Sequence, residues 1–251
     1  MSHSQYLKTA IDAARAAGVL LKQNFGQQLD VHKFEAHDIK LDLDVRSQDL
    51  ITGILLESYP DHAIYGEEGL AGNQESPFQW IVDPIDGTVN FFYGIPHFCI
   101  SIALRHEGKL IVGVILDPMR NELWEVMDGC PALLNGQPIH ASPRVRLADA
   151  VLSVGFAKSK ASINTGLPMF EKLVTKVRKC RLMGSAALDL AYVATGRLDA
   201  YIESSVNLWD VAAGMQLVEA AGGRCDLTPH PDQPDKLAIY ATNGVLDLNV
   251  E

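Results

Sequence analysis

The chemistry of this chain is concentrated in the stretch Asp83-Pro84-Ile85-Asp86-Gly87-Thr88-Val89-Asn90-Phe91. Its two carboxylates stand three residues apart, where the apolar run Trp80-Ile81-Val82 gives way to a turn. Strand ends and the loops that follow them are where functional groups collect. Pro84 fixes one backbone angle, and Gly87 lets the backbone come close to a ligand. A helix starting after Asp86 would aim the N–H groups of Gly87 and Thr88 outward, as a cradle for phosphate. Two more acidic segments join this one: Gly66-Glu67-Glu68-Gly69 at a second strand end, and Trp209-Asp210, with Asp210 as the N-cap of a helix. Taken singly they read as an Asp-capped turn, a polar loop and a helix cap. Together they offer hard oxygen ligands without His or Cys, a set that suits Mg²⁺ or Mn²⁺ rather than zinc.

The elements that must position these groups can be read from periodicity. The N-terminal segment reads as a helix with Leu7, Ile11, Ala14 and Leu21 on one face and Gly26 as its terminator. Residues 39–45 alternate apolar and acidic like a half-exposed strand, with Asp44 at its end and Asp42 as its rival. Residues 47–59 form a helix stopped by Pro60, 63–65 a short strand, and 80–83 a buried strand. A meander of three antiparallel strands follows at 99–104, 109–117 and 121–127. Beyond a boundary near 140–148 come a strand at 150–156, helices at 169–179, 185–196 and 210–223, and strands at 198–202 and 237–242. Ser185 is the expected cap of the second of these helices and Gly196 its terminator. The pattern predicts an α+β chain of stacked sheet and helix layers, with an N-terminal half at 1–145 and a C-terminal half at 146–251.

Composition sets the limits. The chain has 251 residues, 47% of them hydrophobic, and a formal charge of −10. That is ordinary globular make-up, neither disordered nor fibrous. The acid excess argues against a nucleic-acid partner, which calls for clustered Lys and Arg. No apolar run is long enough to span a membrane, and the N-terminus lacks the features of a secretory signal. The four cysteines form no CxxC pair, so free, reduced and mostly buried thiols in a cytoplasmic protein are expected. The eight histidines show no ligand spacing, and His97 reads as structural.

The motifs GEEG (66–69), WIVDPIDGTVNF (80–91), DPMRNELW (117–124), LNG (134–136), GSAALDLAYVATGRLDAY (184–201) and WDVAAG (209–214) resemble those of the inositol monophosphatase family. This family lies within the lithium-sensitive, Mg²⁺-dependent sugar phosphatases. The matches fall in family order and spacing along almost the whole chain. The resemblance implies a layered α-β-α-β-α sandwich like that of inositol monophosphatase and fructose-1,6-bisphosphatase. It implies a phosphoric monoester hydrolase, lithium-sensitive and homodimeric, acting on myo-inositol monophosphate or a related polyol or sugar phosphate. Fructose 1,6-bisphosphate and histidinol phosphate are alternative substrates, and a non-catalytic regulatory protein is a further reading.

By the same resemblance, Glu67, Asp83 and the carbonyl of Ile85 hold one Mg²⁺, and Asp83, Asp86 and Asp210 hold a second. Glu67 serves a third ion through water. Thr88 orients the attacking water, and Asp44 accepts the Thr88 hydroxyl proton. Gly87 and Thr88 amides bind the phosphate. Glu203 takes substrate hydroxyls, while Gly184, Ser185 and Ala186 line the same pocket. Lys33 matches a family lysine near the metal-binding loop. The segment 157–168 is weakly family-like and reads as a loop, either over the site or at a subunit contact. Asp128-Gly129-Cys130-Pro131-Ala132 departs from the Gly-x-Gly-Ala common among relatives, at a point away from the expected metal ligands.

Overall fold

The computed structural model describes residues 3–27, 31–34, 39–156, 160–230 and 233–248. Helix α1 (His3–Asn24) is followed by a small hairpin, β1 (Val31–Phe34) and β2 (Ile39–Leu41), and by α2 (Asp42–Ser58). The next strands are β3 (Ala63–Gly66), β4 (Gly69–Gly72) and β5 (Phe78–Asp86), and the short helix α3 (Thr88–Phe92) comes after them. Strands β6 (Cys99–His106), β7 (Lys109–Asp117), β8 (Glu122–Met127), β9 (Leu133–Leu134) and β10 (Gln137–Pro138) complete the first sheet. The second half contains β11 (Val151–Gly155), α4 (Lys160–Val174), β12 (Lys179–Arg181), α5 (Ala186–Ala194), β13 (Ala200–Val206), α6 (Leu208–Ala220), β14 (Arg224–His230) and β15 (Gln233–Thr242).

Sheet one runs β10-β9-β8-β7-β6-β5-β3-β4 and sheet two β12-β11-β13-β15-β14. Three apolar cores define the layers. One joins α1 and α2 to sheet one, a second places α5 and α6 between the sheets, and a third covers the far face of sheet two with α4. The order is α-β-α-β-α, as the resemblance implies.

Several elements differ from the sequence reading. The face of α1 that is buried is Tyr6, Ala10, Ala13, Ala14, Ala17 and Leu21, while Leu7 and Ile11 are only partly covered. Small residues let the helix lie close on the sheet: a Cβ at Gly18 would come within 2.8 Å of Leu116 Cδ2. Residues 42–45 are the first turn of α2, not a strand end. The Leu41 N–H donates to Asp44 Oδ2 at 2.7 Å, so this carboxylate satisfies an amide that the helix start would leave orphaned. Asp210 is not the N-cap of α6. Asn207 is, and its N–H donates to Asp210 Oδ2 at 2.7 Å.

Six strands, β1, β4, β9, β10, β12 and β14, go unpredicted, and Glu67-Glu68 is the two-residue turn of the β3–β4 hairpin, closed by the Gly66–Gly69 pair. Helix α4 begins at Lys160 and ends at Val174, taking in Pro168, so the helix expected at 169–179 is displaced and much of the expected loop is helical. Within 157–168, residues 157–159 lie outside the described residues. All four thiols are free, but only Cys99 is buried, and Cys130 is exposed. Among the described residues, no helix is long and apolar enough to cross a membrane.

Candidate active site

Strand β5 carries the centre of the site. It is buried from Trp80 to Asp86, and it ends because Gly87 turns into the left-handed region at φ 95°. A Cβ at Gly87 would press on the carbonyl oxygens of His97 and Gly184 at 3.0 and 3.2 Å, so glycine alone fits there without strain. Helix α3 starts at the next residue, which sets the Gly87 and Thr88 amides at its N-terminal end, as predicted. Asn90 in α3 donates through Nδ2 to the carbonyls of His97 and Met183 at 2.8 and 2.9 Å. It thereby ties this turn to the second half of the chain. The sequence reading assigned Asn90 no role.

The Glu67 turn is held from two sides. Glu67 N–H donates to Val82 O of β5 at 3.1 Å. Gln48 of α2 accepts from Glu68 N–H at 2.8 Å and donates to Gly69 O at 3.1 Å. A Cβ at Gly66 would occupy the space of the Gln48 amide, which explains the glycine. Helix α2 also supplies Asp44, which is buried while its rival Asp42 is exposed. Thr88 Oγ1 lies 3.5 Å from Asp44 Oδ1 but donates its proton at 2.9 Å to Ile85 O.

Asp86 is the most heavily supported carboxylate. Ser185 Oγ donates to it at 2.5 Å, Ala187 N at 2.7 Å and Ala186 N at 3.2 Å. The Cys99 thiol reaches it at 3.7 Å. Ser185 also caps α5 by accepting from Leu188 N, as expected. Asp83 Oδ1 accepts from Ile85 N at 3.0 Å.

These groups line a single cavity of about 460 Å³. Glu67, Asp83, Ile85, Asp86, Gly87, Thr88 and Asp210 form one end, and Gly184, Ser185, Ala186 and Glu203 continue the wall. Asp44 stands behind Thr88, and the side chain of Lys33 lies outside the described residues. Cys99, Asp189 and Tyr201, which the sequence reading passed over, also belong to this region. Asp189 and Tyr201 fall inside the motif at 184–201, but neither they nor Cys99 carry a signal of their own, because each sits within an ordinary apolar strand or helix pattern.

Crowding of like charges dominates the electrostatics. Burial, then Asp210 and Asp44, push Glu67 up to about 8. Burial, then Glu67 and Asp86, raise Asp83 well above the usual carboxylate range. Burial raises Asp86 despite its hydrogen bonds, and burial raises Asp210 and Glu203 each to about 7. Such a group cannot be fully ionised at neutral pH unless cations neutralise it. Among the described residues, no three side chains already converge as a finished coordination cage. The donor chemistry nonetheless fits a hard divalent cation: every candidate ligand is oxygen, and among the described residues no lysine or arginine lines the cavity, although Lys236, bonded to Asn207, offsets part of the charge of Glu203 and Asp210.

Fold and cavity together define a layered sandwich with an acidic pocket at the seam between its halves. Residues 2–247 match the model of the inositol monophosphatase family, and the chain belongs to that family. It is 40% identical to "Nus factor SuhB" of Pasteurella multocida over 225 residues, 88% of this chain and 84% of that protein. It is 36% identical to "Inositol-1-monophosphatase" of Mesorhizobium japonicum over 251 residues, 98% of this chain and 94% of that protein. The crystal structure of the extragenic suppressor protein suhB from Bartonella henselae superposes with a TM-score of 0.88 at 33% identity, over 96% of this chain and 95% of that one.

Proposed function

We propose that this protein is a Mg²⁺-dependent phosphomonoesterase that hydrolyses myo-inositol monophosphate or a related polyol or sugar phosphate. The observation that carries the reading is the joining of acidic end, amide cradle and Glu203 in one cavity. The name of the Mesorhizobium relative supports the choice of substrate.

Glu67, Asp83, Ile85 O, Asp86 and Asp210 would hold two cations, with Mn²⁺ a chemically suitable substitute and a third ion served by Glu67. When bound, Mg²⁺ lowers the pKa of an attacking water and neutralises charge on the leaving oxygen. The chain's own residues do the rest. The Gly87 and Thr88 amides receive the phosphate oxygens. Thr88 Oγ1 orients the water once its hydroxyl turns its hydrogen bond from Ile85 O to Asp44 Oδ1, which leaves the Ile85 carbonyl unengaged. Ser185 and the Ala186 and Ala187 amides keep Asp86 aimed at the cavity. Glu203 accepts hydroxyl hydrogens of the alcohol.

The test is phosphate release from a panel of monoesters with and without Mg²⁺. Release from inositol monophosphate that requires Mg²⁺ is expected, and no Mg²⁺-dependent release from any monoester overturns the reading. A second role by protein contact is also proposed, because the Pasteurella relative bears the name of a Nus factor. It would coexist with turnover, since the candidate ligands are all present.

A further inference from the structure

Asp189 sits one turn into α5, four residues after the cap Ser185, and is 2% exposed. Its Oδ2 accepts from Ser153 Oγ of β11 at 2.6 Å. Its Oδ1 is buried and has no hydrogen-bond partner. A buried carboxyl oxygen left unpaired is costly, and native proteins keep few of them. Holding Ser153 requires only one of the two oxygens. The side chain lines the same cavity as Glu203, Tyr201 and Gly155.

The neighbouring parts of that wall are built for a carboxylate. Gly155 pairs with Glu203 across the β11–β13 ladder, and a Cβ at 155 would occupy the place of the Glu203 carboxylate. Tyr201 Oη, fully buried, donates to Glu203 Oε2 at 2.5 Å. Glu203 is thus fixed by a glycine gap and a tyrosine. Asp189 lies within electrostatic reach of both Glu203 and Asp86. The cavity therefore presents two acidic side chains, Asp189 and Glu203, each with hydrogen-bonding capacity to spare.

We propose that Asp189 determines specificity for the alcohol half of the substrate: its free oxygen, brought to the cavity surface by a turn of the carboxylate that lines it, hydrogen-bonds a hydroxyl of that alcohol. With Glu203 it selects phosphate esters of polyols over those of plain alcohols. This rests on the phosphatase reading above and narrows its substrate class.

The test compares two esters with the same ring, myo-inositol 1-phosphate and cyclohexyl phosphate, in the presence of Mg²⁺. Asp189→Leu is expected to lower kcat/KM on the inositol ester about tenfold, chiefly through KM, the loss that one hydrogen bond represents. On cyclohexyl phosphate it should change less than about twofold. Ser153→Ala breaks the tie to β11 without changing what faces the cavity, and it should leave the ratio of the two esters where it is. Equal losses on both esters, or the same ratio change in Ser153→Ala, overturns the proposal. Should Asp189→Leu fail to fold, Asp189→Ser, too short to reach the cavity, carries the test, and an unchanged ratio overturns it. A wild-type protein inactive on both esters defeats the phosphatase reading itself. An active wild type with an unshifted ratio defeats only the role of Asp189.

Discussion

Ser185 Oγ donates a 2.5 Å hydrogen bond to Asp86 Oδ2, joining the cap of α5 to the end of β5 across 99 residues of chain. The same hydroxyl oxygen accepts from Leu188 N. Ser185→Ala should therefore do two kinds of damage. Loss of the cap costs about 1 kcal/mol of stability. Loss of the donor lets Asp86 reorient and should lower kcat or Mg²⁺ affinity by about tenfold, the usual scale for groups that orient a ligand. Ser185→Thr should restore both. Urea titration and Mg²⁺-dependent kinetics check the two effects separately, and wild-type kinetics in Ser185→Ala would show that the bond only caps the helix.

Asp83 is the carboxylate placed among most of the others. Asp83→Asn should cut phosphate release by more than about 100-fold with the fold intact. Without metal, the variant should melt no lower than wild type, because one member of a like-charged cluster is gone. The rise in Tm on adding Mg²⁺ should vanish. Normal turnover in Asp83→Asn would overturn the ligand assignment.

Stability should depend on pH in a direction that Mg²⁺ opposes. Glu67 at about 8, with Asp210 and Glu203 at about 7, hold protons in the folded state that the unfolded chain releases near pH 4. A raised carboxyl stabilises the fold at low pH, and that stabilisation is lost as pH climbs through the folded value. His97 acts oppositely. Burial and then Arg120 push it down to about 4, so the unfolded chain takes up its proton first as pH falls below about 6.5. The clean window therefore runs from about pH 6.5 to 8, where metal-free Tm should fall and Mg²⁺ should raise Tm more at the alkaline end. A smaller Mg²⁺ effect at pH 8 than at pH 6.5 would contradict the shared-proton picture.

Gly155 has an ordinary backbone conformation, so Gly155→Ala tests space alone. The new methyl must displace the Glu203 carboxylate. KM for a polyol phosphate should rise about tenfold, the scale of one lost hydrogen bond, with little change in the metal requirement. An unchanged KM in a folded variant would remove Glu203 from the substrate site.

Asp199 is a buried carboxylate that does not line the cavity, with a purely architectural set of partners. It accepts from Ser142 Oγ, from Arg144 Nη1 at 3.0 Å and from Val151 N at 2.7 Å, pinning the connection between the sheets to β11. Asp199→Ala should cost about 3 kcal/mol in urea unfolding, the usual result of stripping a buried charge-assisted network. A loss below about 0.5 kcal/mol would mean that the connection is held elsewhere.

What the sequence disclosed and what it hid have physical reasons. Strands β6 and β7 alternate or run apolar for long enough to be unmistakable, and Ser185 and Gly196 mark α5 clearly. Asp44 and Asp210 were both misplaced for one cause. Each is an aspartate in the first turn of a helix that reaches back to the amide three residues earlier. Alternation in Ile39–Val45 imitates a strand, and an aspartate before an apolar run imitates a cap. Both patterns hide the true start of the helix. Helix α4 was shortened because Gly166 and Pro168 ordinarily break helices. Yet a Cβ at Gly166 would come within 3.0 Å of Phe156, a closeness that only tertiary structure reveals. The candidate ligands were legible because motifs mark them. Asn90, Asp189 and Tyr201 lie inside the same motifs, yet their roles, like that of Cys99, are not legible there, because they depend on partners from distant strands and helices.

The dependence of Asp86 on Ser185, Ala186 and Ala187 has a consequence for the life of the polypeptide. During synthesis the segment containing Asp83 and Asp86 emerges long before α5 and α6 exist. A ribosome-bound chain, or one truncated ahead of Asp210, would present loose carboxylates to the solution and no enclosed pocket. Turnover would therefore begin only after the C-terminal layers have been translated and docked. Reconstitution of activity from two separately made fragments would serve as a clock for that docking step.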